Sequence, residues 1–244
     1  MALSLTRRTF PALAAGVALL LAACGGSGNG AQGQSAFERE GDMAKGSPDA
    51  PVVMIEYLSL SCGGCAAFHA NVHSTLNRYV EDGTLRLVYR QMLYPVPEIS
   101  TASFMLARCV PEERYFDMVG LLLEQQNAIF QAAQRGALVE HYRTIARSAG
   151  LDDQQFRACM SDETSVDAIR TSTQQAGADG VSVTPSFFIN GVHLQVNRAP
   201  DGSGATVYFA GNEAIQDDRG YVPAEYTGDT FSRIIEYFRS RAEQ

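Results

Sequence analysis

An α/β domain interrupted by a block of helices is the fold class that this 244-residue sequence predicts. Three observations carry it. Val52 to Leu60 is a near-continuous apolar run, the pattern of a strand covered on both faces. Phe68, Val72, Leu76, Tyr79 and Val80 then recur at helical spacing up to a stop at Gly83, and Thr84 to Gln91 alternates Leu85, Leu87 and Tyr89 with Arg86, Val88 and Arg90, which completes a strand-helix-strand unit. From Ile99 to Ala178 helix formers dominate, and only afterwards does Ser186 to Ile189 return to strand.

At the start, Arg7 and Arg8 precede an uncharged stretch, Phe10 to Ala23, too short to span a bilayer comfortably and suited to the apolar region of an export signal. Residues 1–23 are therefore set apart from the fold. Leu21-Ala22-Ala23-Cys24-Gly25 resembles a bacterial lipobox, in which Cys24 is lipid-modified and becomes the mature N-terminus; ordinary cleavage without lipid is the alternative. Thr6-Arg7-Arg8-Thr9-Phe10 also resembles a twin-arginine signal, although two basic residues are ordinary there. Gly25 to Gln34 is Gly, Ser, Asn, Gln and Ala, which cannot bury enough apolar surface to order itself, so 24–49 reads as tether and linker and 50–244 as one domain. Loss of the two leader arginines takes the net charge from -8 to -10, a balance that argues against nucleic-acid binding.

The first strand gives way to Cys62-Gly63-Gly64-Cys65. Two thiols at this spacing on a strand-to-helix turn close and open a disulfide reversibly, which points to redox chemistry. A helix beginning beside Cys62 offers unpaired N–H groups and the positive end of its dipole, so Cys62 is the nucleophile and Cys65, one turn in, the resolving thiol. Glu56 interrupts the apolar strand. A buried carboxylate there is costly unless it holds its proton, which suggests a raised pKa and a proton-transfer role; a solvent-filled strand edge is the alternative.

Pro111, Gly136 and Gly150 divide the helical block into segments of about Ser100 to Cys109, Glu112 to Ile129, Ala137 to Ala149, Asp152 to Met160 and Ser165 to Gly177. Cys109 and Cys159 fall in this block, and in an exported protein two leftover cysteines most simply form a structural disulfide; two buried free thiols or a second redox pair are the alternatives. Asn190-Gly191 reads as a hairpin turn, the stretch from Gly191 to Asp229 as a long loop or hairpin that shapes partner choice, and Phe231, Ile234, Ile235 and Phe238 as the apolar face of a closing helix.

Together these residues resemble the DsbA-like branch of the thioredoxin superfamily, from about Ser47 to the C-terminus. The resemblance rests on Glu56 six residues before Cys62, on Cys62-Gly63-Gly64-Cys65-Ala66-Ala67-Phe68-His69, and on Thr184-Pro185-Ser186-Phe187-Phe188-Ile189-Asn190-Gly191. It implies a thioredoxin-like fold with an inserted helical domain at about 97–179. It implies also that Pro185 is a cis-proline beside the disulfide, that Thr184 and Pro185 position an extended substrate segment, and that Glu56 is the buried acid beneath the cysteines. The activity implied is thiol-disulfide exchange on cysteines of exported proteins, with reoxidation by a DsbB-type quinone-linked membrane oxidase and without metal or organic cofactor. The place implied is the periplasmic side of the cell envelope, anchored through lipid on Cys24 or else soluble. Strong oxidases of this family usually carry Pro-His between the cysteines, so Gly63-Gly64 predicts a weaker oxidant.

The same residues carry other readings. Cys62, Cys65 and His69 suggest a three-ligand zinc site, whereas His73, eight residues and about 12 Å along the helix from Cys65, lies too far to share an ion. Disulfide reduction or isomerisation fits the same motif, as does a non-catalytic tethered binding module or chaperone whose C-x-x-C is structural.

Overall fold

The computed structural model describes residues 35–242. The leader, Cys24 and the first part of the tether lie outside the described residues. The chain runs through β1 (Met43–Lys45), β2 (Val52–Leu58), α1 (Gly63–Glu81) and β3 (Leu85–Gln91) before entering the helical block. That block holds α2 (Pro97–Arg108), α3 (Tyr115–Glu124), α4 (Gln126–Gln134), α5 (Leu138–Ser148), α6 (Asp153–Met160) and α7 (Glu163–Ala178). A meander of β4 (Ser186–Ile189), β5 (Val192–Arg198), β6 (Thr206–Ala210) and β7 (Glu213–Ala214) follows, then a small hairpin, β8 (Gln216–Asp217) and β9 (Gly220–Tyr221), and α8 (Gly228–Ala242).

The main sheet has the order β1-β3-β2-β4-β5-β6-β7, parallel between β2 and β3 and antiparallel elsewhere. All seven residues of β2 are buried. Because strand side chains alternate, Val52, Met54 and Leu58 pack with Phe68 and Leu76 of α1 and with Phe231 and Ile234 of α8, while Val53, Ile55 and Tyr57 meet Val88, Met92, Ala176 and Val181 on the other face. The result is a helix-sheet-helix sandwich with β2 at its centre. Its C-terminal end delivers the chain to Cys62.

Two expectations about element boundaries need correction. The linker expected over 24–49 is, in its described part, built into the domain: β1 pairs with β3, Glu38 meets Arg86 at 2.9 Å, and Asp42 meets Arg90 at 2.8 Å with both side chains under 10% exposed. Arg86 and Arg90 therefore point not to water but to acids 48 residues earlier in the chain. The single helix expected from Glu112 to Ile129 is a short 3-10 turn (Glu112–Arg114) followed by α3 and α4, which meet at Gln125. No glycine or proline marks that break apart from Gly120 upstream, so periodicity alone ran through it.

The stretch from Gly191 to Asp229 is more ordered than a loop. Asn190 (φ 48°) and Gly191 (φ 78°) form the two-residue turn that pairs Ile189 with Val192, and positive φ at both positions matches the twist of the strands it joins. β5 and β6 then pair over five residues, from Leu194 with Ala210 to Arg198 with Thr206. Among the described residues no helix is long and apolar enough to cross a membrane.

Candidate active site

Cys62 is the N-cap of α1, with extended backbone (φ -94°, ψ 119°), and no acidic side chain occupies the first turn of that helix. The free N–H groups there face the sulfur without competition from a carboxylate. Cys62 Sγ donates to Thr184 O at 3.1 Å, and the Thr184–Pro185 peptide bond is cis. The Thr184 hydroxyl is buried without a hydrogen-bond partner in this dithiol form, free to donate once Cys62 ionises. Pro185 packs close against Gly64: a Cβ there would stand 3.1 Å from Pro185 Cδ and 3.6 Å from Cys62 Sγ, a contact that one side or the other would have to relieve by a few tenths of an ångström.

The two sulfurs are chemically unequal. Cys62 retains 8% exposure and Cys65 none. Hydrogen bonding from the Cys65 thiol, with further help from Thr184 and the N–H groups of Cys65 and Gly64, pulls the Cys62 pKa down to about 5 against the opposing effect of burial. Burial first, then the hydrogen bond given to Cys62 and the charge of Glu56, push the Cys65 thiol well up. Cys65 Sγ accepts one backbone bond, from Ser59 N at 3.4 Å. The pair thus presents a thiolate at its rim and keeps a proton at its base.

Glu56 sits at that base, 2% exposed, between Tyr89 of β3 and Phe187 of β4 in the sheet register. Burial, and secondarily the negative charge of Cys62, raise its pKa to about 8. Phe68, one turn beyond Cys65, packs in a cluster with Phe187, Phe231 and Tyr226, with ring centroids 4.6 to 5.4 Å away. That cluster is the apolar floor under the cysteines.

His69 packs against Gly120, whose added Cβ would lie 3.0 Å from the imidazole, and stacks on His73 at 4.2 Å between centroids. Burial lowers the pKa of both rings, that of His73 to about 4. Cys62, Cys65 and His69 are not brought together as a metal-ligating group among the described residues, so the zinc reading finds no geometry there. Cys109 and Cys159 are joined in a disulfide with Cα atoms 5.6 Å apart, tying α2 to α6.

Sequence reasoning missed the residues that hold the turn between β2 and α1. Ser100 of α2 bonds the hydroxyls of both Ser59 and Ser61, and Gln126, the first residue of α4, donates to Leu60 O and Cys62 O. The run Ser59-Leu60-Ser61 before the first cysteine was the available signal, because buried serines need partners. It did not reveal which helix would supply them. Beside Pro185 a groove of about 390 Å³ opens, bounded by Val183, Val196, Tyr208 and Tyr226, with Val183 and Val196 more than half exposed.

Residues 38–207 match the family model described as thioredoxin, designated Thioredoxin_4. The chain belongs to this thioredoxin family. A Rickettsia typhi relative, provisionally named a protein-disulfide oxidoreductase, is 27% identical over 172 residues, covering 66% of this chain and 61% of its own length. A Rickettsia prowazekii protein of the same description is 26% identical over 162 residues, covering 64% of this chain and 57% of its own. The chain thus spans about three fifths of the length of these relatives. Among solved structures, α-DsbA1 of Wolbachia pipientis superposes with a TM-score of 0.65 at 22% identity, covering 85% of this chain and 96% of that one. Oxidised BdbD from Bacillus subtilis gives 0.61 at 14% identity, covering 85% and 97%. At these identities the likeness is one of fold: this thioredoxin-family chain has the DsbA-type arrangement, a thioredoxin-like α/β core with a helical insertion between β3 and β4.

Proposed function

We propose that the protein is a thiol-disulfide oxidoreductase that introduces disulfides into exported proteins through Cys62 and Cys65. The observation that carries this reading is the inequality of the two sulfurs: Cys62 at the start of α1, 3.1 Å from Thr184 O, its pKa drawn down, and Cys65 fully buried beside the buried Glu56, its pKa pushed up. A low pKa stabilises the dithiol form relative to the disulfide, which makes the disulfide an oxidant.

In the oxidised protein a substrate thiolate attacks Cys62 Sγ. The Cys62–Cys65 bond breaks, its electron pair goes to Cys65, and the Glu56 carboxylic acid supplies the proton that this buried thiolate takes up. A second substrate thiolate attacks the substrate sulfur of the mixed disulfide and displaces Cys62 as a thiolate. Two electrons have passed from the substrate dithiol to the cysteine pair. Thr184 and Pro185 position the substrate segment, and the groove between Val183 and Tyr226 receives the residues flanking its cysteine. A quinone-linked membrane oxidase of the DsbB type then reoxidises the pair, on the periplasmic side, where lipid on Cys24 holds the protein to the membrane.

Oxidation of a reduced two-cysteine peptide by the disulfide form tests the reading. Cys62→Ser should abolish it; Cys65→Ser, which cannot form the internal disulfide, should accumulate a mixed disulfide when given the peptide in its disulfide form, Cys62 thiolate attacking that bond and releasing one peptide thiolate. Undiminished turnover by Cys62→Ser would exclude the assigned roles. Equilibration with glutathione fixes the direction. A Cys62 pKa of about 5 lies between those of DsbA (about 3.5) and thioredoxin (about 7), so the potential should fall between about -120 and -270 mV. A value at the negative end would favour a reductase instead.

A further inference from the structure

Gln126 lies immediately beyond the break at Gln125 and is only 6% exposed. Its Nε2 donates to Leu60 O at 3.0 Å and to Cys62 O at 3.1 Å, so one side chain of the helical insertion bridges the two carbonyls that bracket Ser61. Both donors of the amide are thereby used within the protein. From α2, Ser100 holds the Ser59 and Ser61 hydroxyls, and Val96 N donates to Ser61 Oγ at 3.1 Å. A primary amide in a core costs free energy unless its bonds are made. The other buried residues of α4, Ile129 and Ala132, are apolar, so helix packing by itself gives no reason for a glutamine at this position.

The reason lies in what the amide touches. Leu60 O and Cys62 O present the negative ends of their dipoles in the turn that carries the reactive sulfur, and Cys62 O otherwise accepts only the first helical bond, from Ala66 N at 3.2 Å. The Gln126 amide sets partial positive charge across both carbonyls, in a buried setting where such dipoles act strongly. It also fixes the Leu60–Ser61 and Cys62–Gly63 peptide planes, one on each side of the reactive turn, which bear on how Cys62 Sγ is held 3.1 Å from Thr184 O.

We propose that Gln126 is a positioning residue for thiol-disulfide exchange, fixing the backbone of the reactive turn from the helical insertion and favouring the dithiol form of Cys62 and Cys65 over their disulfide. The proposal rests on the exchange reading given above. It assigns the helical insertion a second task beyond covering the sheet: setting how strongly the pair oxidises.

Gln126→Met keeps the length of the side chain and removes both donors, and Gln126→Glu keeps its shape while replacing the donors with carboxylate oxygens. Each is equilibrated with glutathione, and the disulfide and dithiol forms are unfolded separately in urea. Gln126→Met should move the glutathione equilibrium toward the protein disulfide by about tenfold, equivalent to about 1.4 kcal/mol, with the dithiol form losing more stability than the disulfide form. Gln126→Glu should move it further at pH 7, and Asn127→Ala, at the exposed neighbouring position, should leave it unchanged. Equal loss of stability in both forms, with an unchanged equilibrium, would overturn the proposal and leave Gln126 a residue of packing alone. Should neither variant fold, the nitrogen-15-labelled unaltered protein decides. The Gln126 side-chain amide protons should exchange slowly and resonate differently in the two redox forms, and exchange at the rate of a free amide, or identical resonances, would equally overturn it. Failure of the exchange reading looks different, because there the unaltered protein would not oxidise the peptide at all.

Discussion

Glu56→Gln should make the protein more stable at neutral pH, although it alters a residue beside the reactive sulfurs. The folded chain holds the carboxyl at a pKa of about 8, against an ordinary glutamate value of 4.5. Below pH 4.5 the group is protonated in folded and unfolded chains alike, and burial of the neutral acid carries no ionisation penalty. Between 4.5 and 8 the unfolded chain releases its proton while the folded chain keeps it, so stability falls by about 1.4 kcal/mol per pH unit. Above 8 both forms are ionised and the loss levels off. Worked from the two pKa values, the penalty is about 3 kcal/mol at pH 7 and about 5 kcal/mol at its limit. Glutamine keeps the shape and never ionises. Urea unfolding of both proteins in the dithiol form, at intervals from pH 4 to 9, should therefore show curves that coincide near pH 4 and diverge toward pH 8. Because the Cys62 charge contributes to the shift, the divergence should be smaller for the disulfide forms. The same variant should slow release of Cys65 from its disulfide, since the proton donor is gone. A stability difference that stays constant across this pH range would refute the assignment of a protonated, buried Glu56.

Three other perturbations test separate parts of the structure. In the unaltered dithiol, alkylation of Cys62 followed against pH should reach half its plateau rate near pH 5, flat above and falling below, while Cys65 stays unreactive; a midpoint near 8 would mean that the Cys65 hydrogen bond, with Thr184 and the N–H groups of the helix start, does not hold the thiolate. Gly64→Ala should fold normally yet lower kcat/KM for peptide oxidation by about threefold to tenfold, because the added Cβ meets Pro185 Cδ at 3.1 Å and displaces the substrate-facing turn. Replacing both Cys109 and Cys159 with serine should cost about 4 kcal/mol of stability in urea, the chain-entropy value for their separation of 50 residues, and should leave the glutathione equilibrium of Cys62 and Cys65 in place.

Much of the site is written locally. A C-x-x-C at the seam between an apolar strand and an amphipathic helix places one sulfur at a helix start and the other a turn inside, whatever surrounds them, because helix geometry follows from the backbone. The β2-α1-β3 unit, the Asn190-Gly191 turn and the helical block were legible for the same reason, each resting on periodicities or turn residues within a few positions of one another. The acids at Glu38 and Asp42 show the limit. In sequence they belong to a polar linker, and only the pairing of β1 with β3 sets them against Arg86 and Arg90, whose alternation along β3 would otherwise read as a solvent face.

By itself, then, the sequence determined the chemistry at the cysteines and the order of the elements, because local backbone geometry and short-range patterning suffice for both. That Thr184, 122 residues away, stands over Cys62 and that Glu56 is buried was implied by the resemblance to related chains; the physical cause is the packing of β4 beside β2 in the folded sheet, not any local pattern. Tertiary structure alone decided that Ser100 and Gln126 grip the reactive turn from two helices of the insertion. Such contacts depend on how the insertion packs against the sheet, and no spacing along the chain encodes which buried polar group will meet which carbonyl.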